Sequence, residues 1–147
     1  MKKISIVYHS GYGHTKIQAE SVLKGLESVS GVEVKLITAE EAIKDLNILS
    51  DADCIVFGCP TYMGGPSAKF KEFIEAASKV WFKQGWKDKL AAGFTNSSGL
   101  SGDKLSTLSQ LVVNAMQHSM IWISTGFLTG AENTLGTELE LNRLGGY

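Results

Sequence analysis

Six consecutive residues, Ser10-Gly11-Tyr12-Gly13-His14-Thr15, bring together two hydroxyl side chains, two glycines and a histidine directly after the apolar run Ile6-Val7-Tyr8. The chemistry of such a stretch is that of an anion cradle. Placed between a strand and a helix, it presents backbone N–H groups and hydroxyls at a helix N-terminus, where a phosphate is bound readily. Two familiar phosphate loops are excluded by spacing. A nucleoside-triphosphate loop needs a second glycine followed by lysine at the fifth and sixth positions after the first, and neither Gly11 nor Gly13 has them. A dinucleotide fingerprint needs a third glycine where Lys16 stands. What remains is a loop suited to a phosphomonoester, held by amides, Ser10 and Thr15 without a required cation.

The elements that must carry this loop follow from periodicity. Ile4, Ile6, Val7 and Tyr8 read as a strand buried on both faces, and Thr15-Lys16-Ile17-Gln18 reads as a capping box opening a helix whose apolar face is Ile17, Val22, Leu23, Leu26 and Val29. Residues 32–37 alternate as an edge-like second strand, and Thr38-Ala39-Glu40-Glu41 caps a short helix to about residue 46. Cys54-Ile55-Val56-Phe57 is a third, central strand. The loop at residues 58–65 follows it, and Pro66 starts a helix with Phe70, Phe73, Ile74, Ala77 and Trp81 on one face. A fourth strand spans residues 89–95. Asn96-Ser97-Ser98-Gly99-Leu100-Ser101-Gly102 leads into a helix burying Leu105, Leu108, Leu111, Val112, Ala115 and Met116, and residues 120–124 form a fifth strand. Strands alternating with helices imply right-handed crossovers. The fold class expected is α/β, a doubly wound five-stranded parallel sheet of order 2-1-3-4-5 with helices on both faces. Its three polar, glycine-rich loops follow strands one, three and four and converge at the switch point.

A chain of 147 residues is expected to form a single domain over 1–147, burying roughly 70% of its unfolded surface. A net charge of −1, with 44% hydrophobic and 20% charged residues, suggests neither a nucleic-acid patch nor a membrane-binding polybasic segment. The first residues lack a signal-peptide core, and no apolar run approaches a membrane span, so a cytoplasmic protein is expected. Cys54 and Cys59 have the spacing of neither a zinc site nor a redox pair and read as buried free thiols.

Ile6-Val7-Tyr8, Ser10, Gly13, Thr15, Ala19 and Val22 resemble, position by position, the phosphate loop by which the flavodoxin family binds flavin mononucleotide (FMN). The resemblance implies that Ser10, Gly11, Tyr12, Gly13, His14 and Thr15 hold the FMN phosphate, His14 through its backbone. Pro60-Thr61-Tyr62-Met63-Gly64, with Ser67, Lys69 and Phe70, resembles the second flavin loop of the flavodoxin-like NAD(P)H:quinone oxidoreductases, also called tryptophan-repressor-binding proteins. By that likeness Pro60, Thr61, Tyr62, Met63, Gly64 and Gly65 line the isoalloxazine ring. Tyr62 stands where the family usually has arginine and Met63 where it has an aromatic, which leaves the nicotinamide contacts open. Thr95, Asn96, Ser97, Ser98, Gly99 and Gly102 match the third flavin loop, whose N–H groups would face the pyrimidine edge.

The resemblance also puts His118 near that edge as a catalytic residue, the alternative being a packed structural histidine. Trp81 would reach a neighbouring subunit's flavin site, or else pack in the core. Trp81, Phe82 and Trp86 together suggest a homo-oligomer, a homodimer or homotetramer. Two functions are implied. One is an FMN enzyme passing two electrons from NAD(P)H to a quinone by a ping-pong mechanism. The other is a flavodoxin shuttling single electrons between proteins. The near-neutral charge favours the enzyme, because flavodoxins generally carry strong negative charge. A receiver-type signalling domain is excluded, since Gly58-Cys59-Pro60 offers no acceptor aspartate after the third strand. A final helix capped by Thr137-Glu138-Leu139-Glu140, with Leu141 and Leu144, is expected to be truncated at Tyr147.

Overall fold

The protein is described here by a computed structural model covering residues 1–99 and 102–126. Its elements run β1 (Lys2–Tyr8), α1 (His14–Glu27), β2 (Val32–Thr38), α2 (Ala39–Lys44), a 3-10 turn (Leu46–Leu49), β3 (Cys54–Tyr62), β4 (Gly65–Pro66), α3 (Ala68–Ala76), α4 (Ser78–Phe82), β5 (Leu90–Asn96), α5 (Lys104–Gln117) and β6 (Ile121–Trp122). The parallel strands lie in the order β2-β1-β3-β5-β6, which is the expected doubly wound arrangement. Among the described residues the number of strands needs correction from five to six. β3 runs on through Tyr62, and β4 turns back to pair Pro66 with Thr61 antiparallel to it. Pro66 therefore sits in a short edge strand, where its missing N–H costs nothing. The helix starts at Ala68 rather than at Pro66. The expected last helix lies outside the described residues. Among those residues no helix is long and apolar enough to cross a membrane.

Alternation along β1 and β3 divides the core. Ile6, Tyr8, Cys54 and Val56 point to α1 and meet Ala19, with Val22, Leu23 and Leu26 beside it. Val7, Ile55 and Phe57 point to the other face and meet Ala39 and Ala42 of α2, Phe70 and Phe73 of α3, and Leu111 and Ala115 of α5. Both cysteines are free and buried, and burial pushes the Cys54 thiol up to about 11 and that of Cys59 to about 12.

The capping box at Thr38 is present: Glu41 N donates to Thr38 Oγ1 at 3.2 Å, and Thr38 N donates to Glu41 Oε2 at 2.8 Å. The one expected at Thr15 is not. Gly13, at φ +91°, is the N-cap, and Thr15 is already the second residue of α1. Ile17 and Val29, expected inside, are exposed. The helix after β3 breaks at Ala77, so Trp81 and Phe82 are exposed while Trp86, 1% exposed, is in the core. On α5 the buried face is narrower than its apolar residues suggest. Leu105 and Met116 are exposed, whereas Thr107 and Asn114 are buried beside Leu111 and Ala115.

Candidate functional site

The loops after β1, β3 and β5 meet at the carboxyl ends of the strands. In the first, Ser10 Oγ accepts hydrogen bonds from Gly13 N and Lys16 N, both at 3.1 Å, and so pins the turn into α1. Among the described residues, no protein acceptor meets the N–H groups of Tyr12, His14 or Thr15 at this helix start. A Cβ on Gly11 would meet the Tyr62 hydroxyl, so a side chain there would have to displace the Tyr62 ring that closes over the first loop. Tyr12, 82% exposed, meets Tyr62 edge-on with ring centres 6.1 Å apart.

Thr15 is 1% exposed, and its hydroxyl is tied to the third loop. Asn96 Nδ2 donates to Thr15 Oγ1 at 3.0 Å and to Gln18 Oε1 at 3.1 Å, while Gln18 Nε2 donates to the Thr95 carbonyl at 3.3 Å. The phosphate loop and the third loop therefore form one hydrogen-bonded unit.

Three threonines join the second and third loops to α5. Thr95 Oγ1 donates to the Cys59 carbonyl at 2.6 Å, which uses its only proton. Thr61 must then donate to Thr95, and Thr107 to Thr61, each across 2.8 Å. This directed relay explains why Thr107 is buried on a helix face otherwise apolar. Beyond Thr61 the chain turns in a two-residue hairpin at Met63 (φ +48°) and Gly64 (φ +82°), the left-handed pair of a type I′ turn. In the third loop, Lys104 Nζ donates to Ser97 Oγ at 2.7 Å and to the Gly99 carbonyl at 2.8 Å.

Two spaces open between these loops. One, about 540 Å³, is lined by Tyr12, His14, Thr15, Pro60, Thr61, Tyr62, Asn96, Ser97 and Ser98. The second, about 680 Å³, shares Thr61, Ser97 and Ser98 as a wall and adds Met63, Gly64, Gly99, Gly102, Asp103 and Ser106. Ser10 and Gly13 face a smaller pocket behind the phosphate loop, of about 150 Å³, with His9, Lys16 and Glu40. Gly11, Gly65 and Thr95 stand behind the walls, against Tyr62, Gln110 and the threonine relay respectively. His9, unassigned from sequence, shares a hydrogen bond with buried Ser67 at 2.8 Å.

His118 needs correction. It lies at the C-terminus of α5, 2% exposed, with its ring 4.4 Å from that of Trp86. β6 pairs with Leu90 and Ala91 at the start of β5, whereas the cleft is at its end, Asn96. Six residues of strand, roughly 20 Å, separate the two. Within one chain His118 is a structural residue. Its Nδ1 has no partner among the described residues, and burial pulls its pKa down to about 4, so it is neutral. Gln18, Asp103, Lys104, Ser106 and Thr107 were not singled out from sequence. The only signal of the last four was a polar first turn on a helix read for its apolar face.

The cleft fits FMN. Free amides at the start of α1 suit a phosphate, and glycines beside a slot walled by Tyr62 and the third loop suit a flat ring. Fold and cleft together define a flavodoxin-like flavoprotein whose cofactor is FMN. Residues 38–134 match the family model described as NADPH-dependent FMN reductase, and the chain belongs to that family. It is 42% identical over 146 residues to the flavodoxin FldP of Pseudomonas aeruginosa (strain UCBPP-PA14), covering 99% of this chain and 77% of that protein. Quinone-oxidoreductase QR2 of Triphysaria versicolor is 32% identical, covering 88% of this chain and 72% of that one. Among solved structures, the flavodoxin, WrbA-like protein from Agrobacterium tumefaciens superposes with a TM-score of 0.77 at 44% identity, over 98% of this chain and 92% of that one. The protein is thus an FMN-dependent oxidoreductase.

Proposed function

We propose that the protein passes two electrons from NAD(P)H to a quinone in a ping-pong cycle, the two substrates using the same cleft in turn. The observation that carries this reading is the second space, about 680 Å³, open beside the slot for the ring and lipped by the apolar Met63 side chain. It has the size to take a flat substrate against the flavin. FMN, when bound, supplies acceptance of a hydride and release of an electron pair. The chain supplies the rest. Residues 10–15 bind the phosphate. Residues 60–62 hold the ring, Thr61 being fixed by its neighbouring threonines, while Met63 and Gly64 border the second space, and residues 96–99 with Gly102 offer amide donors, with the Ser98 hydroxyl, where negative charge develops on reduction. The relative named for quinone reduction supports the choice of acceptor.

A second copy is part of this proposal. Residues 105–117 of α5 include no charged residue, yet Leu105, Val113 and Met116 are exposed, as are Trp81 and Phe82 on α4. Uncharged, apolar helix faces of this kind are covered in assemblies. The competing reading, a single-electron carrier between proteins, is favoured by the likeness to a protein named flavodoxin. Anaerobic mixing separates the two. The enzyme's flavin should bleach in one phase with NADH or NADPH and regain its colour on adding benzoquinone. Slow bleaching by both nucleotides would instead assign the carrier.

A further inference from the structure

We propose that Lys104 sets the redox potential of the cofactor by placing a fixed positive charge one layer behind the third loop. Its ammonium reaches back from the first turn of α5 to Ser97 Oγ at 2.7 Å and the Gly99 carbonyl at 2.8 Å, and Ser97 Oγ in turn donates to Gly99 O at 2.9 Å. Ser97 lines both spaces of the cleft and Gly99 the larger one. A ring tethered by its phosphate to the start of α1 would lie against this wall.

Among the described residues, the other charged or titratable groups on the cleft are few. Asp103 lines the larger space, and His14, Tyr12 and Tyr62 line the smaller one. Lys16 faces the separate pocket behind the phosphate loop. Among the described residues there is no arginine. Among the described residues Lys104 is therefore the cation hydrogen-bonded to the cleft wall, and Asp103 beside it carries the opposite charge.

The oxidised ring is neutral, whereas the doubly reduced ring is a weak acid that ionises near neutral pH. A positive charge held a few ångströms behind the wall favours the reduced anion over the oxidised form, because the half-buried ammonium is screened less than it would be in bulk water. Holding the loop would by itself strengthen both oxidation states alike. Only the charge separates them. The proposal needs FMN in the cleft but is independent of which donor or acceptor the protein uses.

The test measures dissociation constants of oxidised and dithionite-reduced FMN for Lys104→Gln, Lys104→Arg and Asp103→Asn, with the potential of each complex read against a dye. Lys104→Gln should lose about tenfold more affinity for reduced than for oxidised FMN, a potential about 30 mV more negative for a two-electron couple. Lys104→Arg should stay near the parent, and Asp103→Asn should shift the other way. An unchanged ratio in Lys104→Gln, with or without equal losses in both states, would overturn the proposal and leave Lys104 a prop for the loop. Should Lys104→Gln bind no FMN, the remaining variants decide. A ratio in Lys104→Arg lowered about tenfold, or no rise in Asp103→Asn, would overturn it equally.

Discussion

β3 and β5 run the height of the molecule, and their two ends are built on opposite principles. At the carboxyl ends the chain is polar, glycine-rich and open, and groups are held by directed hydrogen bonds: Asn96 to Thr15 and Gln18, Thr107 through Thr61 and Thr95 to Cys59. From the middle of the sheet toward the other end the interior is packed with aromatic rings. Phe57, Phe73 and Trp86 lie with centres 6.1 to 6.3 Å apart, and His118 is laid against Trp86. The difference teaches that one end stores stability and the other binding, and that a histidine belongs to whichever end its strand register selects.

If the ends are separable, the largest effect comes from emptying the closed one. Trp86→Ala should cost about 3–5 kcal/mol in urea or thermal unfolding, from the forfeited burial of the indole and the cavity left behind. FMN affinity of the protein that remains folded should stay within about twofold, as expected for distant sites. A marked loss of FMN affinity in folded Trp86→Ala would break the comparison.

His118 sharpens it through pH. Burial lowers its pKa from 6.5 to about 4, so below pH 6.5 the unfolded chain takes up a proton that the folded chain refuses. Stability is full above pH 6.5 and falls as pH drops toward 4, by on the order of 3 kcal/mol across that window. Urea unfolding at several pH values should show this slope, and His118→Leu should flatten it. A slope that survives the substitution would place the titrating group elsewhere.

Which end a residue joins is what the sequence conveyed unevenly. The strand, loop and helix that carry residues 10–15 were legible because their requirement is compositional, small residues and hydroxyls between an apolar strand and a helix. The strand order was legible because alternating strands and helices leave few right-handed solutions. His118 was misplaced because its position depends on β6 pairing with the first residues of β5, a register that no local pattern encodes. The face of α5 was misread because Thr107 is buried for its bond to Thr61, a residue 46 positions away. Lys104 is hidden in the sequence for a similar reason: a lysine at a helix start reads as solvated, and only the fold shows its ammonium turned under a loop. Trp86 and Trp81 lie five residues apart and read alike, yet the break at Ala77 sends one inward and the other out.

The smallest effect concerns strain, which the two ends also handle differently. Besides Met63, the non-glycine residues with positive φ are, among the described residues, Gln84, Asp88 and Ser119. Those three lie at the closed end and are stitched together, Asp88 N donating to Ser119 O at 2.9 Å and Ser119 Oγ to Gln84 Oε1 at 2.7 Å. Met63, at φ +48°, is wholly exposed. Burial does not compensate a left-handed methionine there, whose conformation costs roughly 1 kcal/mol or more, and its side chain stands at the lip of the cleft, where a substrate could use it. Met63→Gly relieves that strain but adds glycine's greater unfolded freedom, about 0.5–1 kcal/mol, and should raise stability only slightly. FMN affinity should hold, because the thioether lies beyond the slot for the ring. The KM for benzoquinone should rise about fivefold, the equivalent of roughly 1 kcal/mol of apolar burial that the bound quinone no longer has. Met63→Gly that gains stability with an unchanged KM would show the side chain to be idle, and the strained turn would then serve only to close the hairpin over Gly11.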